Sequence, residues 1–183
     1  YYVYNAYGVQ GIYSAPGKAV KEAYDSSGVV TNDRGITVWL KGNRVSRNQI
    51  MAIKEESVTD QKNSLTVCLD NILRHAGITR NTEYDLAQGK TAIQILEENM
   101  TGVQVLDLSG CSLDAVLYYV NQDIPVLAIL EDGEAVLVTG FNEFNVVIME
   151  PSTGKLYKKG MNDATTWFAE NGNHFISYMK IEN

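Results

Sequence analysis

Two cysteines and two histidines supply every thiol and imidazole in the chain, so their spacing bounds the covalent chemistry open to it. Cys68 and His75 sit seven residues apart in one apolar-periodic run. On a helix they share a face, but at about 1.5 Å per residue they lie ~10 Å apart along the axis, beyond hydrogen-bond reach. Cys111 and His174 are too far apart in sequence for spacing to say whether they meet. Two cysteines make neither a metal site nor a disulfide framework, and no metal or cofactor is expected. On an apolar face Cys68 reads as a small buried hydrophobe. Glu55-Glu56, Glu97-Glu98 and Glu131-Asp132 read as solvated faces rather than acid/base pairs, and Asp70-Asn71 as the polar side of a helix.

The element that would position any such group is the run from Ser64 to Gly77. Its apolar residues Leu65, Cys68, Leu69, Ile72, Leu73 and Ala76 fall at i, i+3, i+4, i+7, i+8 and i+11, the recurrence of a helix with one buried face. Asn63 or Ser64 can cap its start, and Gly77 stops it. The first turn, at Ser64, is where an active site could have been built.

Residues 1–45 read as a small β-rich unit of order β-β-α-β-β. Tyr1–Tyr4 and Val9–Tyr13 are strand-like about Gly8, and Pro16 opens a helix ending near Asp25. Asn32–Gly35 is a hairpin loop between Val29–Thr31 and Ile36–Leu40. Residues 46–57 form a connector within a polar stretch to Asp60, whose apolar cluster Ile50–Ile53 allows a helical turn or two. The main domain, 58–183, begins with the Ser64 helix. Thr79–Gly89 then reads as loop, Thr91–Asn99 as helix, Val103–Leu106 as strand and Ser112–Val120 as helix. The strands Pro125–Leu130, Glu134–Phe141, Asn145–Glu150, Lys155–Lys158 and His174–Ile181 follow, with a helix at Asn162–Glu170. Helices first and an antiparallel sheet second make an α+β layout.

Composition narrows the partners. A net charge of −7, with Lys158-Lys159 as the longest basic cluster, disfavours nucleic acid and anionic membrane. No run approaches the ~18–20 apolar residues that span a bilayer. The chain opens on Tyr1 without a methionine, so a processed chain or a domain of a larger protein is expected.

Three motifs in order carry a resemblance. Ser64-Leu65-Thr66-Val67-Cys68-Leu69 falls on a C-G-x-x-C-L run at the head of a central helix. Asp123-Ile124-Pro125-Val126 is similar to a G-x-P-V strand. Gly133-Glu134-Ala135-Val136-Leu137-Val138-Thr139-Gly140, followed by Glu150-Pro151, looks like G-H-x-V-V-x-G followed by D-P. Together, over roughly residues 58–183, they resemble the papain-like cysteine peptidase domains that remove double-glycine leader peptides. The resemblance implies a papain-like fold with the central helix packed on an antiparallel sheet. It also places Ser64 at the nucleophile, Glu134 at the histidine, Glu150 at the orienting aspartate and Gln61 near the oxyanion-hole glutamine, with only two residues between Gln61 and Ser64.

At those positions the thiol, the imidazole and the aspartate are all replaced. A papain-like site needs a thiol ionised beside an imidazole, whereas a serine hydroxyl depends wholly on a good base. The resemblance therefore implies a catalytically inactive relative in a larger bacterial surface or export protein, extracellular or surface-exposed, with a peptide or protein ligand in the former substrate cleft. Two alternatives stand beside it: an active peptidase with Ser64 or Cys111 as altered nucleophile, and a purely structural domain without a ligand.

Overall fold

Turn chemistry sets the first elements of the computed structural model, which describes residues 1–42, 45–50 and 62–181. Gly8, at φ +106, turns the chain between β1 (Tyr2–Asn5) and β2 (Gly8–Ile12). Only a residue without a Cβ takes that conformation readily. Pro16 opens α1 (Pro16–Ser26), where its missing N–H costs nothing. Strands β3 (Val29–Thr31) and β4 (Thr37–Leu40) follow, their loop held by Asn32, whose side-chain oxygen accepts from the N–H groups of Arg34 and Ile36. The four strands form an antiparallel sheet in the order β2-β1-β3-β4.

Helix α2 (Ser64–His75) follows the apolar periodicity, with Cys68, Leu69, Ile72 and Leu73 buried and Leu65 half-buried. Asn63 caps it by accepting from the Leu65 N–H at 2.8 Å, and Gly77 ends it at φ +85. Next come α3 (Glu83–Ala87), α4 (Ala92–Asn99), β5 (Val103–Asp107) and α5 (Leu113–Asn121). Thr91 and Ser112 cap α4 and α5. The chain then runs through β6 (Val126–Ile129), β7 (Ala135–Phe141), β8 (Asn145–Glu150) and β9 (Lys155–Gly160). It finishes with α6 (Met161–Glu170) and β10 (His174–Lys180). These strands make a six-stranded antiparallel sheet in the order β5-β10-β6-β7-β8-β9, so the last strand slots between the first two. Helices α2 and α5 pack on β7, and α4 on β5. Among the described residues, no helix is long and apolar enough to cross a membrane.

The two sheets share one core. Val3, Val20, Val30, Val38 and Trp39 from the first forty residues join the cluster that holds Leu69, Leu106, Val116 and Phe175. Buried hydrogen bonds tie the halves: the Tyr119 hydroxyl donates to the Val38 carbonyl at 3.0 Å, and the Trp39 indole to the Ala115 carbonyl at 2.9 Å.

Three sequence expectations change. Thr79–Gly89 is not all loop, because it contains α3, a helix of five mostly polar residues with too little apolar periodicity to be read. Asp70 is not solvated: it is 8% exposed, and one carboxylate oxygen accepts both the N–H and the hydroxyl of Thr82, at 2.8 and 2.9 Å. Of the connector, Arg47–Ile50 lies alongside β7 with Ile50 buried, while Met51–Ile53 lie outside the described residues.

Helix α1 is pressed onto the main sheet at Gly17. A Cβ there would stand 2.7 Å from the Ser109 carbonyl oxygen and 3.2 Å from that of Asp107. In a free helix Gly→Ala gains about 1 kcal/mol. Here the sign should reverse: Gly17→Ala is expected to cost about 1–3 kcal/mol by overpacking against backbone, read from chemical denaturation.

Candidate functional site

Freed from capping by Asn63, the Ser64 side chain turns sideways from the first turn of α2. Its oxygen accepts the backbone N–H of Ala135, the first residue of β7, at 2.9 Å. The two residues are 71 apart in sequence. Ser64 is half-buried and Ala135 is 1% exposed, so the contact lies at the edge of the core. Glu134, the residue before Ala135, is exposed. The head of α2 and the head of β7 are thus joined, which brings together the stretches that carry Ser64 and Glu134.

Glu150 ends β8 and is turned onto its own loop. One of its carboxylate oxygens accepts from the Ser152 N–H at 3.2 Å and from its hydroxyl at 3.1 Å. Among the described residues, no hydrogen bond joins Ser64 to the carboxylate of Glu134 or Glu150. Both carboxylates nevertheless act on the interior one turn along α2. Burial pushes the Cys68 thiol well above its ordinary range, and the charges of Glu150 and Glu134 push it further. Gln61 lies outside the described residues.

His75 is remote from Ser64 along α2, whereas His174 sits on β10 in register, through Ile129, with Ala135. His75 closes the opposite end of α2, ~16 Å away at about 1.5 Å per residue, and its Nε2–H donates to the Asp123 carbonyl at 2.7 Å. Its Nδ1 is buried without a partner among the described residues. His174 opens β10 on the exposed surface. Gly110 and Asn173 are hydrogen-bonded through their backbones, so the neighbourhoods of Cys111 and His174 do adjoin. The groups themselves diverge: the Cys111 thiol is buried and donates to the Gly17 carbonyl at 3.3 Å. Burial, with the Asp107 charge adding to it, pushes that thiol up to about 12. Among the described residues no hydrogen bond joins Cys111 to His174: the thiol is buried against Gly17, while the exposed imidazole lies over Gly172.

A thiol reacts as its thiolate, and both thiols are buried and held protonated. The native chain at pH 8 should therefore take up no iodoacetamide under conditions where the denatured chain takes up two per molecule, counted by mass spectrometry. The same shifts carry a stability sign. Unfolded thiols ionise near pH 9, whereas the folded Cys111 thiol stays protonated to about 12. The unfolded state then binds fewer protons, so stability should fall as pH rises from about 9 toward 12, with a shallower fall in Cys111→Ala.

With this geometry in hand, comparison with known proteins speaks to fold. No family model and no curated protein matches the chain. Among solved structures, the chain is similar to a protein from Bacillus anthracis described as a C39-like peptidase. The two superpose with a TM-score of 0.63 at 14% identity, over 76% of this chain and 100% of that one. At such low identity the likeness is one of architecture. The chain has a papain-like fold, with its central helix α2 packed on an antiparallel sheet.

Proposed function

We propose that this chain is a peptidase-like domain that does not hydrolyse peptides, and that the surface around Ser64 serves as a binding site for a peptide or protein within a larger bacterial surface or export protein. One observation carries the reading: the Ser64 oxygen accepts the Ala135 backbone N–H, and among the described residues no hydrogen bond joins its hydroxyl to a base. To become a nucleophile a hydroxyl must lose its proton as it attacks, and a positioned imidazole ordinarily takes it. Here carboxylates stand at the matched histidine and aspartate positions. Glu150 spends an oxygen on its own turn, and the nearest thiol on α2 is buried and protonated. Losing one triad member costs several orders of magnitude in rate, and losing nucleophile and base together leaves background.

The binding half of the reading rests on charge. Glu134 is exposed and Glu150 half-exposed on a chain of net charge −7, so the ligand favoured is an extended peptide carrying Lys or Arg.

The test is turnover of a peptide library that includes Gly-Gly junctions. Wild type and Ser64→Cys are expected to give none, because the new thiol would lack an imidazole. Triple replacement, Ser64→Cys with Glu134→His and Glu150→Asp, is the variant in which weak cleavage should appear if the surface still admits a peptide. Wild-type cleavage abolished by Ser64→Ala would overturn the reading, and abolition by Cys111→Ser would move the chemistry to the other thiol.

A further inference from the structure

The small sheet turns one face to the core and the other to solvent. Val3, Val30, Val38 and Trp39 fill the inner face. On the outer face the strand register sets Val9, Tyr4, Val29 and Leu40 in one row across β2, β1, β3 and β4. Ile12, Tyr2, Thr31 and Thr37 make the row beside it, and the Tyr2 and Tyr4 rings stack across the two rows at 6.4 Å. None of these eight residues is charged. Of the ten large apolar side chains exposed among the described residues, six belong to this sheet and its hairpin turn. They are Tyr4, Tyr7, Val9, Ile12, Val29 and Leu40, from 36% exposed at Val29 to 93% at Tyr7.

We propose that this face docks on the same face of a second copy of the chain, giving a two-fold dimer. Area is the first argument. At roughly 200 Å² per large side chain the six exposures amount to roughly 650 Å², above the ~300–600 Å² of a monomer's largest apolar patch and close to the ~800 Å² that each partner of a stable dimer covers. Charge selects the occupant. Two copies of net charge −7 repel at long range, so a contact between them gains most where neither side has a charge to desolvate. Shape agrees, because two sheets of the same twist stack face to face, and an isologous contact needs only one self-complementary patch. The chain treats another exposed strand differently. At the edge of the larger sheet, β9 carries Lys155, Lys158 and Lys159, the kind of charge that keeps strands from associating. The outer rows of the small sheet carry no such residue. None of its four strands holds Ser64, Glu134 or Glu150, so the dimer is independent of the proposed function.

The test is sedimentation velocity of the whole chain across the micromolar range, read as a monomer–dimer equilibrium. Wild type should form a dimer and nothing larger, because an isologous contact closes on itself. Sodium sulfate should tighten the dimer, since it screens the repulsion between acidic copies and strengthens apolar burial. Val9→Glu and Ile12→Glu replace side chains already in solvent, so each should keep its thermal melt while weakening the dimer by about tenfold or more. Phe144→Glu, at a residue 71% exposed between β7 and β8, should leave the equilibrium unchanged. A chain that stays monomeric throughout, a dimer that sulfate dissociates, one weakened equally by Phe144→Glu, or one indifferent to both Val9→Glu and Ile12→Glu would overturn the proposal.

Discussion

Strand β7 is buried at all seven residues, and its burial is the constraint around which the neighbouring structure is arranged. A strand cut off from water must have its backbone N–H and C=O groups paired, since each orphan costs free energy comparable to a lost hydrogen bond. Strand β8 serves one side. On the other, β6 reaches only from Ala135 to Val138 and then ends. Beyond it, Arg47–Ile50 takes over: Arg47 exchanges backbone hydrogen bonds with Phe141, and the Ile50 N–H donates to the Thr139 carbonyl. That segment runs so close that a Cβ on Gly140 would meet the Asn48 carbonyl oxygen at 2.6 Å. At the other end of the strand, the first N–H, that of Ala135, is satisfied by the Ser64 hydroxyl.

Ser64 is therefore part of the accounting that lets β7 be buried. Where a papain-like peptidase needs a thiol free to ionise, this chain has a serine oxygen that accepts a backbone N–H. The carboxylates around it fit the same logic. Glu134 and Glu150 raise the cost of ionising the nearby Cys68, and Glu150 braces the turn at Ser152. The heads of α2 and β7 are thus joined within a papain-like fold, where Ser64 and Glu150 each accept a backbone N–H.

How much of this was legible depended on whether the determining interaction was local. The 3.6 period through Cys68, Leu69, Ile72 and Leu73 and the caps at Thr91 and Ser112 are local, and they located α2, α4 and α5 to within about a residue. The run Val126–Ile129 and the turn at Gly133, φ +84, likewise marked β6 and the start of β7. What was missed is long-range. Asp70 looked solvated because its partner, Thr82, lies across a loop. The slot of β10 between β5 and β6 leaves no trace in either strand's pattern. At the candidate site the residue types were visible, and the motif resemblance paired Ser64 with Glu134. That the contact would instead be with the N–H of Ala135 follows from the burial of β7, which composition does not announce. The apolar row on the small sheet was hidden for the same reason, its four residues coming from four strands.

The central claim is that the Ser64 hydroxyl is a structural acceptor for β7, and the equilibrium stability of Ser64→Ala measures it most directly. Losing the acceptor leaves the Ala135 N–H unpaired at the edge of the core. Urea denaturation should show a loss of about 1–3 kcal/mol with an unchanged denaturant slope. A group held in place for catalysis is commonly expendable to stability, or a burden on it. Ser64→Ala with unchanged or raised stability would contradict the account.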